Sequence, residues 1–169
     1  GMDWLGDVRQ GEELNHLVEG ATYGWPYAYG AGNPTPQIQA SSGANPKLIK
    51  QSRTPALLYT AHAAPIQIAF YNALQFPKQY INDAFVAMHG SWAREHPSGY
   101  EVVRIRFSNA GEAQSFKPFL RGFLTRSQDG TYAEFGRPTG VAVAKDGALL
   151  ISDDTHGIIY RISYQGKDR

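Results

Sequence analysis

Four short stretches carry most of the side chains that could do chemistry. They are Thr60-Ala61-His62-Ala63-Ala64-Pro65, His89-Gly90-Ser91-Trp92-Ala93-Arg94, Glu134-Phe135-Gly136-Arg137-Pro138 and Ser152-Asp153-Asp154-Thr155-His156. Imidazoles exchange protons near neutral pH. Guanidinium groups fork onto carboxylates. An indole offers a flat face, and a Gly and a hydroxyl beside it let a ligand come close. Other arrangements are missing: no nucleophile elbow, no phosphate-cradling glycine loop and no His-x-x-x-His pair occurs. Asp153-x-x-His156 is too short and common to define a metal site. Each group also has a plain structural role. Asp153 and Asp154 can cap a turn through backbone N–H groups. His62 can be a satisfied core imidazole, Arg137 can pair with Glu134, and Trp92 can cover a sheet edge. His16 reads as structural and His96 as solvated.

A pattern written twice places these stretches. Pro65–Phe70, Ala84–Met88 and Gly99–Ile105 are three successive strand candidates; Pro138–Val143, Ala148–Ile151 and Gly157–Ile162 repeat them. Each triplet runs from a proline through a hairpin, a buried strand and a polar loop to a strand ending in Arg-Ile. Repeated meanders of this size predict propeller blades. Val141–Ala144 and Leu149–Ile151 are apolar on both faces, as expected of strands packed between layers. Connections of an up-and-down meander alternate between its two ends. The four stretches therefore share one end, with three of the five histidines, two arginines, a Trp and two Asp. Asp83 and Lys145-Asp146-Gly147 fall at the other end, as ordinary hairpin turns.

The rest of the chain frames that repeat. Residues 1–55 read as an outer strand, Glu13 to Val18, followed by the aromatic turn Tyr23–Gly30 and a proline-bearing surface loop with a short helix near Gln37. Residues 56–108 read as one blade and 109–164 as the next. The predicted class is all-β, a partial β-propeller of about two and a half four-stranded blades. With 169 residues, 18% of them charged and a net charge of +1, the chain lacks the basic footprint of a nucleic-acid binder. No stretch approaches the roughly 20 apolar residues of a membrane span. The first residues hold no apolar run with a cleavage site, so no signal peptide is expected among them. Without cysteine there is no disulfide or thiolate metal site.

The chain resembles the C-terminal part of the glucose/sorbosone dehydrogenase family. The stretches that carry the resemblance are Asp3–Asp7, Glu12–Asn15, Tyr23–Pro26, Ala61–Pro65, His89–Arg94, Gly136–Val143, Ser152–Asp154 and Ile159–Ile162, in family order. The His-Gly-Ser-Trp loop is closer to the sorbosone branch. The resemblance implies a soluble six-bladed quinoprotein with pyrroloquinoline quinone (PQQ) as cofactor, Ca²⁺ polarising its carbonyls and a sugar or aldose as substrate. It also implies a periplasmic or secreted location. Carried over by position, Arg137 would contact the quinone, and His62, His89, Ser91, Trp92 and Arg94 would line its pocket. Asp7 and Val8, with Glu12 and Glu13, fall where the family places calcium ligands.

Two departures follow from the same resemblance. The family's proton-accepting His belongs to an earlier blade, so no residue of this stretch is assigned as catalytic. Six blades need roughly 300 residues, at about 40–50 per blade. An incomplete ring leaves strand edges unpaired and predicts self-association. The leading expectation is the C-terminal blades of a PQQ-dependent sugar dehydrogenase, inactive alone. The alternatives are a non-catalytic module that binds carbohydrate or protein, and a calcium-dependent lactonase using Asp153 and Asp154.

Overall fold

The computed structural model describes residues 11–36, 45–92 and 94–166. The chain forms two compact units, residues 1–61 and 62–169.

In the first unit, β1 (Glu12–Leu14) pairs antiparallel with β4 (Leu57–Tyr59), and β2 (Ala28–Tyr29) pairs with β3 (Asn33–Pro34). The strand expected over Glu13 to Val18 is confined to Glu12–Leu14. Past it the chain is drawn to Tyr23, whose hydroxyl donates to the His16 carbonyl at 2.8 Å and accepts from Val18 N–H at 2.7 Å. The helix expected near Gln37 lies outside the described residues. A helix does form later: α1 (Pro46–Gln51) starts where the Asn45 side chain accepts from Leu48 N–H at 3.1 Å and Pro46 opens the first turn.

The second unit contains the repeat. β5 (Pro65–Phe70), β6 (Ala84–Met88), β7 (Glu101–Phe107) and β8 (Ala113–Leu120) form an antiparallel sheet in that order. After the β9 (Leu124–Arg126) and β10 (Tyr132–Glu134) hairpin, β11 (Pro138–Val143), β12 (Leu149–Asp153) and β13 (Ile158–Ile162) form the next sheet. The fold is all-β, built from antiparallel propeller-type blades. The repeat extends to its irregularities, because both blades bulge just after their opening proline, between Pro65 and Gln67 and between Pro138 and Gly140.

The boundaries expected at residues 56 and 108 shift. β4 pairs with β1 within the first unit, and β8 completes the first sheet of the second unit by pairing with β7. The hairpin into β8 is closed by Ser108 and Glu112, with Gly111 N–H donating to the Ser108 carbonyl at 2.9 Å. Lys117 and Pro118 in the middle of β8 suit an outer strand, which needs neither a continuous ladder nor an apolar face.

Tyr71, Phe76, Phe85, Val102, Val141, Leu149 and Ile151 form one core shared by both sheets of this unit. Burying side chains of this size stabilises by about 1.5–3 kcal/mol each. Phe85 stacks edge-on against Phe119 at 4.6 Å between centroids. The Tyr71 hydroxyl donates to the Gly147 carbonyl at 2.8 Å and accepts from Phe76 N–H at 2.9 Å, tying the first blade to the hairpin of the second. Between β5 and β6, Lys78–Tyr80 form a single 3₁₀ turn.

Asp83 is not an ordinary hairpin residue. It is buried, accepts from Arg104 Nε at 2.5 Å and from Phe107 N–H at 2.9 Å, and holds Arg104 over the Tyr80 ring.

Candidate functional site

The loops that end β6 and β12 meet within the second unit, and Arg137 joins them. Its Nε donates to the His89 carbonyl at 3.2 Å and its Nη2 to the Gly90 carbonyl at 2.5 Å. Glu134 lies 3.9 Å from Nε, a loose pair. The guanidinium centre stands 5.4 Å from the Tyr100 ring centroid. Five N–H groups sit on a guanidinium. The two carbonyls fix its plane while leaving other N–H donors for a ligand.

Asp153 fixes the backbone of Arg137. Its Oδ1 accepts from Arg137 N–H at 3.1 Å and Thr155 N–H at 2.9 Å, and its Oδ2 accepts from the Tyr160 hydroxyl at 3.3 Å. His156 Nδ1 lies 3.6 Å from Oδ2. Burial pushes this carboxyl up. The Arg137 and Thr155 N–H groups, the Tyr160 hydroxyl and His156 outweigh that and hold it below the usual Asp value. Gly136 is required beside it, since a Cβ there would collide with Oδ2.

Asp154 turns the other way and meets His89, whose Nε2 lies 3.0 Å from both carboxylate oxygens. The hydrogen bond from His89 holds the Asp154 carboxyl below its usual value.

The loop from His89 to Tyr100 is closed at its base. Ser91 N–H donates to the Ser98 carbonyl at 2.9 Å, Ser98 N–H donates to Ser91 Oγ at 3.1 Å, and the Tyr100 hydroxyl donates to the Ser91 carbonyl. Burial raises the Tyr100 phenol, Arg137 opposes the shift and Glu134 adds to it. Gly90, at φ +106°, leaves no room for a Cβ, which would sit 2.5 Å from the Tyr100 ring.

The structure therefore sorts the expected site residues. Arg137 and His89 come together. His62 is half-buried at the start of the unit, in a left-handed backbone conformation next to Ala63 and Ala64, whose carbonyls accept from Gly90 and His89 N–H groups at 2.9 Å. Trp92 is 78% exposed, so it does not cover a sheet edge. Arg94 is half-buried in the same loop, and His96 is exposed. Ser91 is buried in the base of the loop, where its hydroxyl shapes the backbone. Sequence reasoning did not single out Tyr100. Its signal is Gly99-Tyr100 opening a strand, with Tyr100 itself at φ +58°.

The calcium assignment does not gain a side-chain cage. Asp7 and Val8 lie outside the described residues. Glu12 and Glu13 are consecutive in β1, and successive strand residues point to opposite faces. Glu13 already accepts from Gly30 N–H at 2.7 Å and the Asn15 amide at 3.0 Å. Among the described residues no group of three or more His, Asp or Glu could hold a metal. The Asp153–Asp154 pair required by a lactonase is divided, one carboxylate turned inward onto N–H donors and the other outward onto His89.

Residues 5–165 match the TrAA12-like family. The chain belongs to that family. The TrAA12-like chain is 36% identical over 169 residues to an uncharacterized protein of Borreliella burgdorferi, covering 98% of this chain and 42% of that protein. It is 31% identical over 122 residues to a pyrroloquinoline quinone-dependent pyranose dehydrogenase of Coprinopsis cinerea, covering 64% of this chain and 16% of that protein. Its fold resembles the calcium structure of Trichoderma reesei Carbohydrate-Active Enzymes Family AA12, with a TM-score of 0.68, 24% identity, 95% of this chain and 44% of that chain. It also resembles the holo form of the pyranose dehydrogenase PQQ domain from Coprinopsis cinerea, with a TM-score of 0.62, 21% identity, 93% of this chain and 45% of that chain. The chain thus spans less than half the length of these relatives. Among the described residues, no helix is long and apolar enough to cross a membrane.

Proposed function

We propose that this chain supplies the C-terminal blades of a PQQ-dependent dehydrogenase acting on aldoses or related sugars. Arg137, His89, His62, Trp92 and Arg94 form its cofactor-facing edge, and the proton acceptor for the sugar hydroxyl belongs to blades outside this stretch. The supporting observation is the Arg137 guanidinium, held at its inner edge by the His89 and Gly90 carbonyls. Such a group suits a planar polycarboxylate, because its remaining donors lie in one fixed plane. When bound, the quinone would accept the hydride from the sugar. The residues of this chain would hold a carboxylate and exclude water. Backbone oxygens and further blades, rather than a side-chain cluster among the described residues, would have to supply most ligands of a calcium ion. A periplasmic or extracellular setting accompanies this reading.

Titration of the chain with PQQ in the presence of Ca²⁺ tests it. Saturable binding is expected, weakened at least tenfold by Arg137→Lys, which keeps the charge and loses the fork. The chain alone should not reduce dyes with aldoses, whereas a protein with the remaining blades should. Absence of PQQ binding to that longer protein would overturn the proposal.

A second reading is a binding module without redox chemistry. Exposed Trp92 and Phe135, at 78% and 57%, favour it, since such rings stack on sugars. Aldose binding by the longer protein with no response to PQQ would select it. In either case the β13 edge is unpaired among the described residues, with Ile158 and Ile159 exposed. Concentration-dependent self-association of this stretch is therefore expected in sedimentation.

A further inference from the structure

His89 follows the last residue of β6, and Asp154 follows the last residue of β12. These are equivalent positions, because Met88 pairs with Pro65 as Asp153 pairs with Pro138. The two side chains meet across the blades with Nε2 equidistant, at 3.0 Å, from both carboxylate oxygens.

Asp154 is not needed by its own turn. Asp153 already takes the Thr155 N–H. Asp154 is exposed, and its hydrogen bond with His89 favours the ionised form. An ionised carboxylate only accepts, so His89 Nε2 must carry a proton. In a neutral imidazole the lone pair then resides on Nδ1. Among the described residues no hydrogen bond engages Nδ1, and the His89 side chain keeps 20% of its surface.

We propose that Asp154 is a positioning residue: it locks His89 as the Nε2–H tautomer, so that His89 offers Nδ1 as an acceptor to an O–H or N–H donor of the ligand. The neighbouring Arg137 offers the complementary function, N–H donors for a carboxylate or carbonyl oxygen. The edge therefore reads one donor and one acceptor on the same ligand. This deepens the dehydrogenase reading: His89 would meet a sugar hydroxyl or a ring N–H of the quinone cofactor, and not one of its carbonyl oxygens. The tautomer itself does not depend on that reading.

Long-range proton–nitrogen correlation spectra of the chain, recorded above the usual imidazole range, provide the test. The wild type should show His89 protonated on Nε2, with an Hε2 signal slow to exchange. Asp154→Ala should broaden that signal and bring in an Nδ1–H fraction. A wild-type His89 protonated on Nδ1, or an alanine variant with Hε2 as sharp as wild type, would overturn the inference. The first of these outcomes needs no variant at all. Separate additions of an aldose and of PQQ then identify the donor, since the one used should shift the Nδ1 resonance. An Nε2–H wild type whose Nδ1 responds to the aldose but not to PQQ supports the tautomer lock and makes the sugar hydroxyl the donor, while the PQQ titration of the protein with all its blades decides the dehydrogenase reading separately. A resonance moved by neither in the protein with all its blades overturns the ligand-facing role.

Discussion

Met88 closes β6 in the first blade and Asp153 closes β12 in the second, at the same register position beside a bulged proline. Met88 is simply buried. Asp153, equally buried, gathers two N–H groups and a hydroxyl and fixes Arg137. The opposite ends of the blades diverge as well. Each third strand carries an Arg that pairs with an Asp near the first hairpin: Arg104 with Asp83, and Arg161 with Asp146. The first pair is buried, with Arg104 held against the Gln79 carbonyl and the Tyr80 ring, whereas the second lies in the open, where β13 is an edge among the described residues. One frame thus serves two ends. Polar groups at one end build the edge proposed above to meet a ligand. At the other end the same ion pair is structural or nearly irrelevant according to whether it is covered.

Breaking the first blade's pair should have the largest effect. Arg104→Ala leaves Asp83 buried without its cation, held only by the Phe107 N–H, and should destabilise by about 3–5 kcal/mol in urea unfolding. Arg161→Ala, its counterpart, should leave the midpoint nearly unmoved, because an exposed pair is screened by solvent. Equal losses would erase the distinction drawn between the blades. Next comes Asp153→Leu, which makes the second blade resemble the first. It strands several donors and should cost about 2–3 kcal/mol. Its pH signature follows from sign. The native carboxyl is held below its unfolded value, so its contribution is present above the ordinary Asp range, about 3.9, and disappears as pH falls through the lower native value. The gap between wild type and variant should therefore close on acidification, and a gap that widened would reject the assignment.

Gly90→Ala should follow, at about 1–3 kcal/mol, because its Cβ meets the Tyr100 ring. Gly157, in the matching loop of the second blade, has φ +64° and open space around it. Its replacement by Ala meets only the left-handed backbone penalty, about 1 kcal/mol. Calorimetry of both variants sharpens the contrast between a packed loop and an open one.

Much of the frame was legible because it is local. Opening prolines gave β5 and β11 their bounds, an uninterrupted apolar run gave β6 its own, and the alternation of connections placed the four stretches at one end. β8 was missed since Lys117 and Pro118 disguise an outer strand, and α1 was missed because Pro46 reads as a loop signal although Asn45 before it is a helix cap. Asp153 acts as the turn cap its sequence offers. Its neighbour's bond to His89 joins residues 65 positions apart and leaves no local trace. Ser91 shows the converse: a hydroxyl beside an indole looks like a ligand contact, yet it closes the base of its own loop.

Ser91, Ser98 and Tyr100 tie the two ends of the loop to each other, and the exposed side chains of Trp92 and His96 lie outside that tie. Changes at Trp92 or His96 should alter what that segment recognises without asking the blade to refold. A lineage, or a designer, could exchange the tip as a cassette and keep the socket, and new ligand preferences would then arise faster than new scaffolds.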